Sequence, residues 1–182
     1  MNTNQQYSQA VESCKAIFLK KTKDYGTSWR VYRTISVADQ IYIKAKRIRT
    51  IQENGVQKID DDIISEFKGI LNYGIIGLIQ LDINDDELED LPYETVEQLY
   101  NKKAAIAQQL MQDKNHDYGE AWREMSRESF VDLILAKILR IKQILVNKGK
   151  TIISEGIDAN YFDIINYAAF ALILIDEEVH SR

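Results

Sequence analysis

Apolar side chains recur along the chain at helical spacing, and the same steps appear twice. Tyr7, Val11, Cys14 and Phe18 form one stripe; Tyr100, Ala104, Ala107 and Met111 form another. Steps of three and four residues keep side chains on one face of an α-helix. Similar stripes predict second helices over 36–53 and 129–147, with Ser36 and Ser129 as N-caps. Third helices are expected over 62–81 and 158–177. Gly26, Gly119, Gly55 and Gly149 follow the first and second helices, where glycine tolerates the left-handed backbone that ends a helix. The stretch 161–175 is apolar on nearly every face, so its helix must be buried all round. Its counterpart in the first half carries Gly69, Gly74 and Gly77, small residues that let another helix approach closely.

The steps recur because the chain contains one unit twice. The frame K-x-x-D-Y-G-x-x-W-R runs from Lys21 to Arg30 and again from Lys114 to Arg123. The offset of 93 holds without a gap from Tyr7/Tyr100 to Ile51/Ile144, and 14 of these 45 positions are identical. One inserted residue makes it 94 by Gly55/Gly149. A period of this length marks a duplicated helical unit rather than a solenoid of short repeats. The expected fold is all-α: a tandem duplicated three-helix unit forming one six-helix bundle with pseudo-two-fold symmetry, its third helices packed near the axis. The first repeat spans 1–82 and the second 95–182. Between them, 83–94 is acidic, holds the single proline, Pro92, and reads as a solvated linker leading to a helix that starts near Glu94 or Thr95.

Bulk composition narrows the function classes. A length of 182 residues with 45% hydrophobic and 28% charged residues fits an ordinary globular chain. A net charge of -5 argues against a non-specific nucleic-acid coat, although it leaves room for a local basic pocket. One cysteine, Cys14, allows neither a disulfide framework nor a zinc cluster, and its place in an apolar stripe marks it as a small buried residue. The longest apolar run, 168–175, is too short to cross a bilayer. The N-terminus has no basic segment followed by an apolar one, so a cytoplasmic location is expected.

Against this background, cations inside the second-helix stripes stand out. Lys137 and Arg140 lie among aliphatic residues three positions apart, on one helix face, and Lys44 and Arg47 repeat the pair. Asp39 and Asp132 also match. A desolvated cation needs a partner. Either internal carboxylates such as Asp132, Asp163 or Asp117 supply it, stapling helices, or the pair faces a cleft and holds an external anion, most naturally phosphate. Lys21 and Lys114 fall in a helix's last turn, where positive charge is favoured. Asp24 and Asp117 oppose that same field, so each must be paired or cap the following turn. Tyr25, Tyr118, Trp29 and Trp122 read as core aromatics in the main, with a stacking face for a base as the alternative.

Asn72 and Asn166 are polar residues within apolar helices and need hydrogen-bond partners. Asn166 shares a helix face with Asp163, three residues earlier; in the first half Gly69 stands where Asp163 would be. Asp61 matches Glu155 near the start of the third helices. Glu155, Asp163 and Asp132 together offer oxygen ligands for a hard cation such as Mg²⁺, a site confined to the second half. His116 and His180 have no counterparts and do not read as ligands.

The ordered set Lys114, Asp117, Tyr118, Gly119, Trp122, Lys137, Arg140, Asp163, Asn166 and Tyr167 resembles the nucleotide-modification-associated domain, an all-helical family of phage and bacterial genomes. Lys21, Asp24, Tyr25, Gly26, Trp29, Lys44, Arg47, Asn72 and Tyr73 repeat the set, with Gly69 breaking its closing D-x-x-N-Y motif. The resemblance implies a link to modified nucleotides or to nucleic-acid modification. The layout is also similar to the all-α nucleoside triphosphate pyrophosphohydrolases, but their paired E-x-x-E and E-x-x-D magnesium ligands are absent.

The leading expectation is therefore a nucleotide-binding protein. Phosphate would be held by Lys114, Lys137 and Arg140, with Lys21, Lys44 and Arg47 as a second or degenerate set. Asp117, Tyr118 and Asn166, with Asp24, Tyr25 and Asn72, would orient the ligand. Magnesium-dependent hydrolysis of a nucleoside triphosphate is one alternative, and a helical interaction module with internal salt bridges is another. The expected partner is a nucleotide or another phosphate-bearing small molecule, not a membrane; nucleic acid and a homo-oligomer remain open.

Overall fold

The computed structural model describes residues 1–55, 60–83, 90–152 and 154–181. Six long helices follow one another: α1 (Thr3–Tyr25), α2 (Thr34–Asn54), α3 (Asp60–Asp82), α4 (Tyr93–Tyr118), α5 (Arg127–Val146) and α6 (Ile157–His180). Short 3-10 turns at Ser28–Val31 and Ala121–Glu124 carry the tryptophans between first and second helices. Among the described residues every regular element is helical, and no helix is long and apolar enough to cross a membrane.

Local signals start and stop these helices. Asn2 caps α1 in a reciprocal box: its side chain accepts from the Gln5 backbone N–H at 2.9 Å, and the Gln5 side chain accepts from the Asn2 N–H at 3.0 Å. Gly55 and Gly119 end α2 and α4 with left-handed backbone at φ 63°. The second helices begin two residues earlier than their serines suggest. Arg33 and Ser126 occupy the cap positions, and neither caps through its side chain. The backbone N–H groups of Ser36 and Ser129 already bond to Arg33 and Ser126 carbonyls, placing both serines inside the first turn. The preceding 3-10 turns set the chain direction, which makes a side-chain cap dispensable there.

Each helix packs against its own counterpart: α1 on α4, α2 on α5, and α3 on α6, the last being the most extensive contact. α1 also meets α6, and α4 meets α3, so the two halves interlock across a pseudo-two-fold axis. Two glycines of α3 make the central contact close. A Cβ at Gly74 would stand 2.7 Å from Ile165 Cγ1, and one at Gly77 would stand 2.5 Å from Tyr161 Cζ. Gly69 differs from these two, since its neighbour is the Lys44 side chain rather than α6. Asp39 and Asp132 serve as matching staples on the outside, pairing across α2 and α5 with Lys142 at 2.8 Å and Arg49 at 3.8 Å.

The buried asparagines bind the halves together. Asn72 donates to the Cys14 carbonyl of its own half at 3.0 Å and accepts from the Tyr100 hydroxyl of the other half at 2.8 Å. Asn166 repeats the arrangement, donating to the Ala107 carbonyl at 3.1 Å and accepting from the Tyr7 hydroxyl at 2.7 Å. All four side chains are buried. Burial pushes the Tyr7 and Tyr100 hydroxyls well above their ordinary range, so both stay neutral donors. Replacing Asn72 by Ala strands a buried hydroxyl and a buried carbonyl, a loss of about 2–4 kcal/mol in urea unfolding, and Asn166→Ala should match it. A change under about 0.5 kcal/mol in either would contradict the linking role.

Candidate functional site

The K-x-x-D-Y-G lysine, the second-helix lysine and the third helix converge in both halves, with different outcomes. In the second half Lys114, in the last turns of α4, and Lys137, on α5, both reach Asp163 on α6. Lys114 Nζ lies 2.7 Å from Oδ1 and Lys137 Nζ 2.8 Å from Oδ2. The Asp163 and Lys137 side chains are only 13% and 14% exposed, whereas that of Lys114 is 58% exposed. Burial alone would raise the Asp163 carboxyl, but the two ammonium hydrogen bonds outweigh it and hold the group below its ordinary range. Lys114 is shifted up, since the bond to Asp163 overcomes its own desolvation. The internal-staple reading thus describes Lys114 and Lys137.

Arg140 sits apart from this clamp. It is exposed, forms no ion pair among the described residues, and lines an open hollow of about 740 Å³ with Lys137, Asn147, Lys150 and Glu155. The carboxylates Glu155, Asp163 and Asp132 do not assemble. Asp163 is taken by lysines, Asp132 faces Arg49, and Glu155 stands at the hollow's rim. No group of three or more His, Cys, Asp or Glu among the described residues is arranged to hold a metal ion.

The first half keeps the lysines but changes the acid. Gly69 replaces Asp163, and the Lys44 stem lies against it; a Cβ at Gly69 would stand 3.0 Å from Lys44 Cδ and Cε. The acid moves one turn back to Glu66, whose counterpart is Asn160. Glu66 binds Arg47 at 2.8 Å and lies 3.7 Å from Lys44, while Asp62 adds a contact to Arg47 at 3.4 Å. Arg47 is therefore occupied by carboxylates of the adjacent α3. Lys21, Lys44 and Lys68 instead line a pocket of about 290 Å³. Phe18, Thr22, Asn72 and Ile76 form its buried floor, and Tyr25, Tyr32 and Tyr73 supply aromatic walls. No described carboxylate lines it. Lys44 Nζ rides 5.8 Å from the Tyr73 ring centre, and Tyr32 and Tyr73 stack at 6.4 Å. Burial, followed by the neighbouring Tyr32, pushes the Tyr73 hydroxyl up to about 12.

The model of the family described as nucleotide modification associated domain 1 matches the chain twice, over residues 21–81 and 114–175. The chain belongs to this family. Neither the curated proteins nor the solved structures contain a match. Each copy of the nucleotide modification associated domain begins at the lysine of the K-x-x-D-Y-G frame and ends late in its third helix. The matched span thus includes every family residue that converges here.

Within this duplicated family unit, the remaining motif residues separate by role. Trp29 and Trp122 are buried, and Trp122 stacks on Phe170 at 4.2 Å. Tyr25 and Tyr118 are not core aromatics. They are 58% and 76% exposed, because each closes its helix just before the turning glycine and points outward. Asp24 and Asp117 are exposed; Asp117 lies 3.3 Å from His116. The polar functions of Asn72 and Asn166 serve the inter-half bonds described above.

Two residues escaped the repeat-based reading. Lys68, whose counterpart is Phe162, adds a third cation to the first-half pocket. Lys103, whose counterpart is Ala10, is buried and bound to Asp82. A search for what both copies share overlooks positions where they differ.

The clamp makes a stability prediction with a defined sign. Asp163 titrates below its unfolded value, so its contribution is complete above about pH 4 and fades as pH falls through the lower folded value. Lys114 titrates above its unfolded value, so its contribution is complete below about pH 10 and fades as pH rises beyond. Asp163→Asn should lower stability by about 2 kcal/mol at neutral pH, discounted for the exposure of Lys114, and flatten the acid limb of a stability–pH curve measured by urea unfolding. An unchanged acid limb would place the acid-labile groups elsewhere.

Proposed function

We propose that this protein binds a phosphorylated nucleoside in the first-half pocket. One observation carries the reading: three lysines and an aromatic wall surround a cavity that no described carboxylate lines. Ammonium groups supply charge for phosphate, and tyrosine faces suit a base. The family's description supports the nucleotide class of ligand. A volume of about 290 Å³ suits a single nucleotide rather than an oligonucleotide. The phosphate role thereby shifts from the Lys–Arg pair toward Lys21, Lys44 and Lys68.

A second phosphate position beside α5 is the other reading that an observation favours. Arg140 and Lys150 face an open hollow, and Arg140 has no described ion-pair partner. Magnesium-dependent hydrolysis has no comparable support, since Asp132 and Asp163 are engaged by basic side chains.

Calorimetry with a panel of nucleotides at low salt tests the assignment. At least one nucleotide should bind, and Lys44→Ala and Lys68→Ala should each weaken it about tenfold, or about 1.4 kcal/mol. Arg140→Ala should leave that affinity within about twofold; a tenfold loss there would move the phosphate to the α5 hollow. A folded protein that binds no nucleotide would remove the proposal.

A further inference from the structure

The two halves hold the same cation pair in two conditions, and the comparison specifies the ligand more closely. In the second half the group between the lysines is known. Asp163 divides its carboxylate, giving one oxygen to Lys114 at 2.7 Å and the other to Lys137 at 2.8 Å. In the first half Lys21 and Lys44 are the corresponding cations, and Gly69 removes the corresponding acid. Resting on the nucleotide reading above, we propose that the first-half pocket takes a terminal phosphate monoester and that Asp163 is the second half's built-in substitute for that phosphate.

Charge and shape favour a monoester dianion over other anions. Asp163 meets its two lysines with two oxygens on one atom, an arrangement that carboxylates and phosphates share. Lys68 adds a third positive charge, where the second half has Phe162. Glu66 offsets part of the Lys44 charge from 3.7 Å, but its other oxygen is bound to Arg47 at 2.8 Å. The pocket therefore suits two negative charges better than one. Its floor of Phe18, Thr22, Asn72 and Ile76 is buried, so a chain cannot continue through it. A phosphodiester carries one charge and substituents on both sides; a terminal phosphate carries close to two charges and ends there.

The substitution Gly69→Asp tests this by giving the first half the acid of the second. The nearest atoms to a Cβ at Gly69 are the flexible end of Lys44, at 3.0–3.3 Å, which can give way by the few tenths of an ångström required, so the fold should tolerate it. A nucleoside 5′-monophosphate should bind wild type with one equivalent. The parent nucleoside and a dinucleoside monophosphate should bind at least tenfold more weakly. Gly69→Asp should lose at least tenfold in affinity, and Gly69→Asn, which fills the same space without charge, should lose less. Asp163→Gly should raise the stoichiometry toward two.

Inorganic phosphate separates this inference from the nucleotide reading. If phosphate binds wild type but not Gly69→Asp while no nucleotide binds, the phosphate site stands and the nucleotide assignment falls. If nucleotides bind but nucleoside, diester and monophosphate are equal, or Gly69→Asp binds like wild type, the nucleotide assignment stands and the terminal-phosphate site is overturned. Silence from both probes overturns both. If Asp163→Gly fails to fold, the two Gly69 variants still decide the matter.

Discussion

Two asparagine side chains set the architecture by reaching in two directions at once. Each gives its amide N–H to a carbonyl in its own half and its oxygen to a tyrosine hydroxyl from the other half. These bonds lie in a core from which water is excluded, where an unmet polar group is expensive. That expense selects one register of α3 and α6 against α1 and α4. The outer elements follow from it: α2 and α5 close over the third helices, with Asp39–Lys142 and Asp132–Arg49 as paired contacts on the rim.

Symmetric bonding at the centre permits asymmetry around it. The carboxylate facing the second-helix lysine sits at Asp163 in one half and one turn earlier, at Glu66, in the other. This relocation by three residues keeps the acid on the same helix face but changes what it can reach. At Asp163 it is shared by two lysines. At Glu66 it is held chiefly by Arg47, leaving Lys21 and Lys44 beside a cavity. The same framework therefore carries a closed cluster and an open one, separated by a few side chains rather than by any change of fold.

Most of the fold was legible because helical period, terminal glycines and the doubled frame all pointed one way. The six helices, the packing of α3 on α6, buried Cys14 and the buried tryptophans followed from those patterns. Helix starts at Thr34 and Arg127 did not, because the preceding turns fix them and no capping side chain marks them. Tyr25 and Tyr118 were misjudged by residue type, since composition cannot tell which side of a turning glycine faces solvent. The candidate site was legible as a set of lysines but not as a geometry. Which acid meets which lysine depends on the distance between helices, and Lys68 lacks the counterpart that would have drawn attention to it.

The contact of Tyr161 with Gly77 bears on how unlike the two halves must be where they meet. The corresponding residues in the other half are Phe67 and Ala171. Two copies of the second half alone, assembled about a true dyad, would bring each Tyr161 ring against the methyl group of an Ala171. A methyl at Gly77 would stand 2.5 Å from that ring, far inside contact distance. Such a pair of second halves would have to shift its helices apart at this seam, whereas the fused chain, with glycine facing the Tyr161 ring, keeps α3 and α6 close.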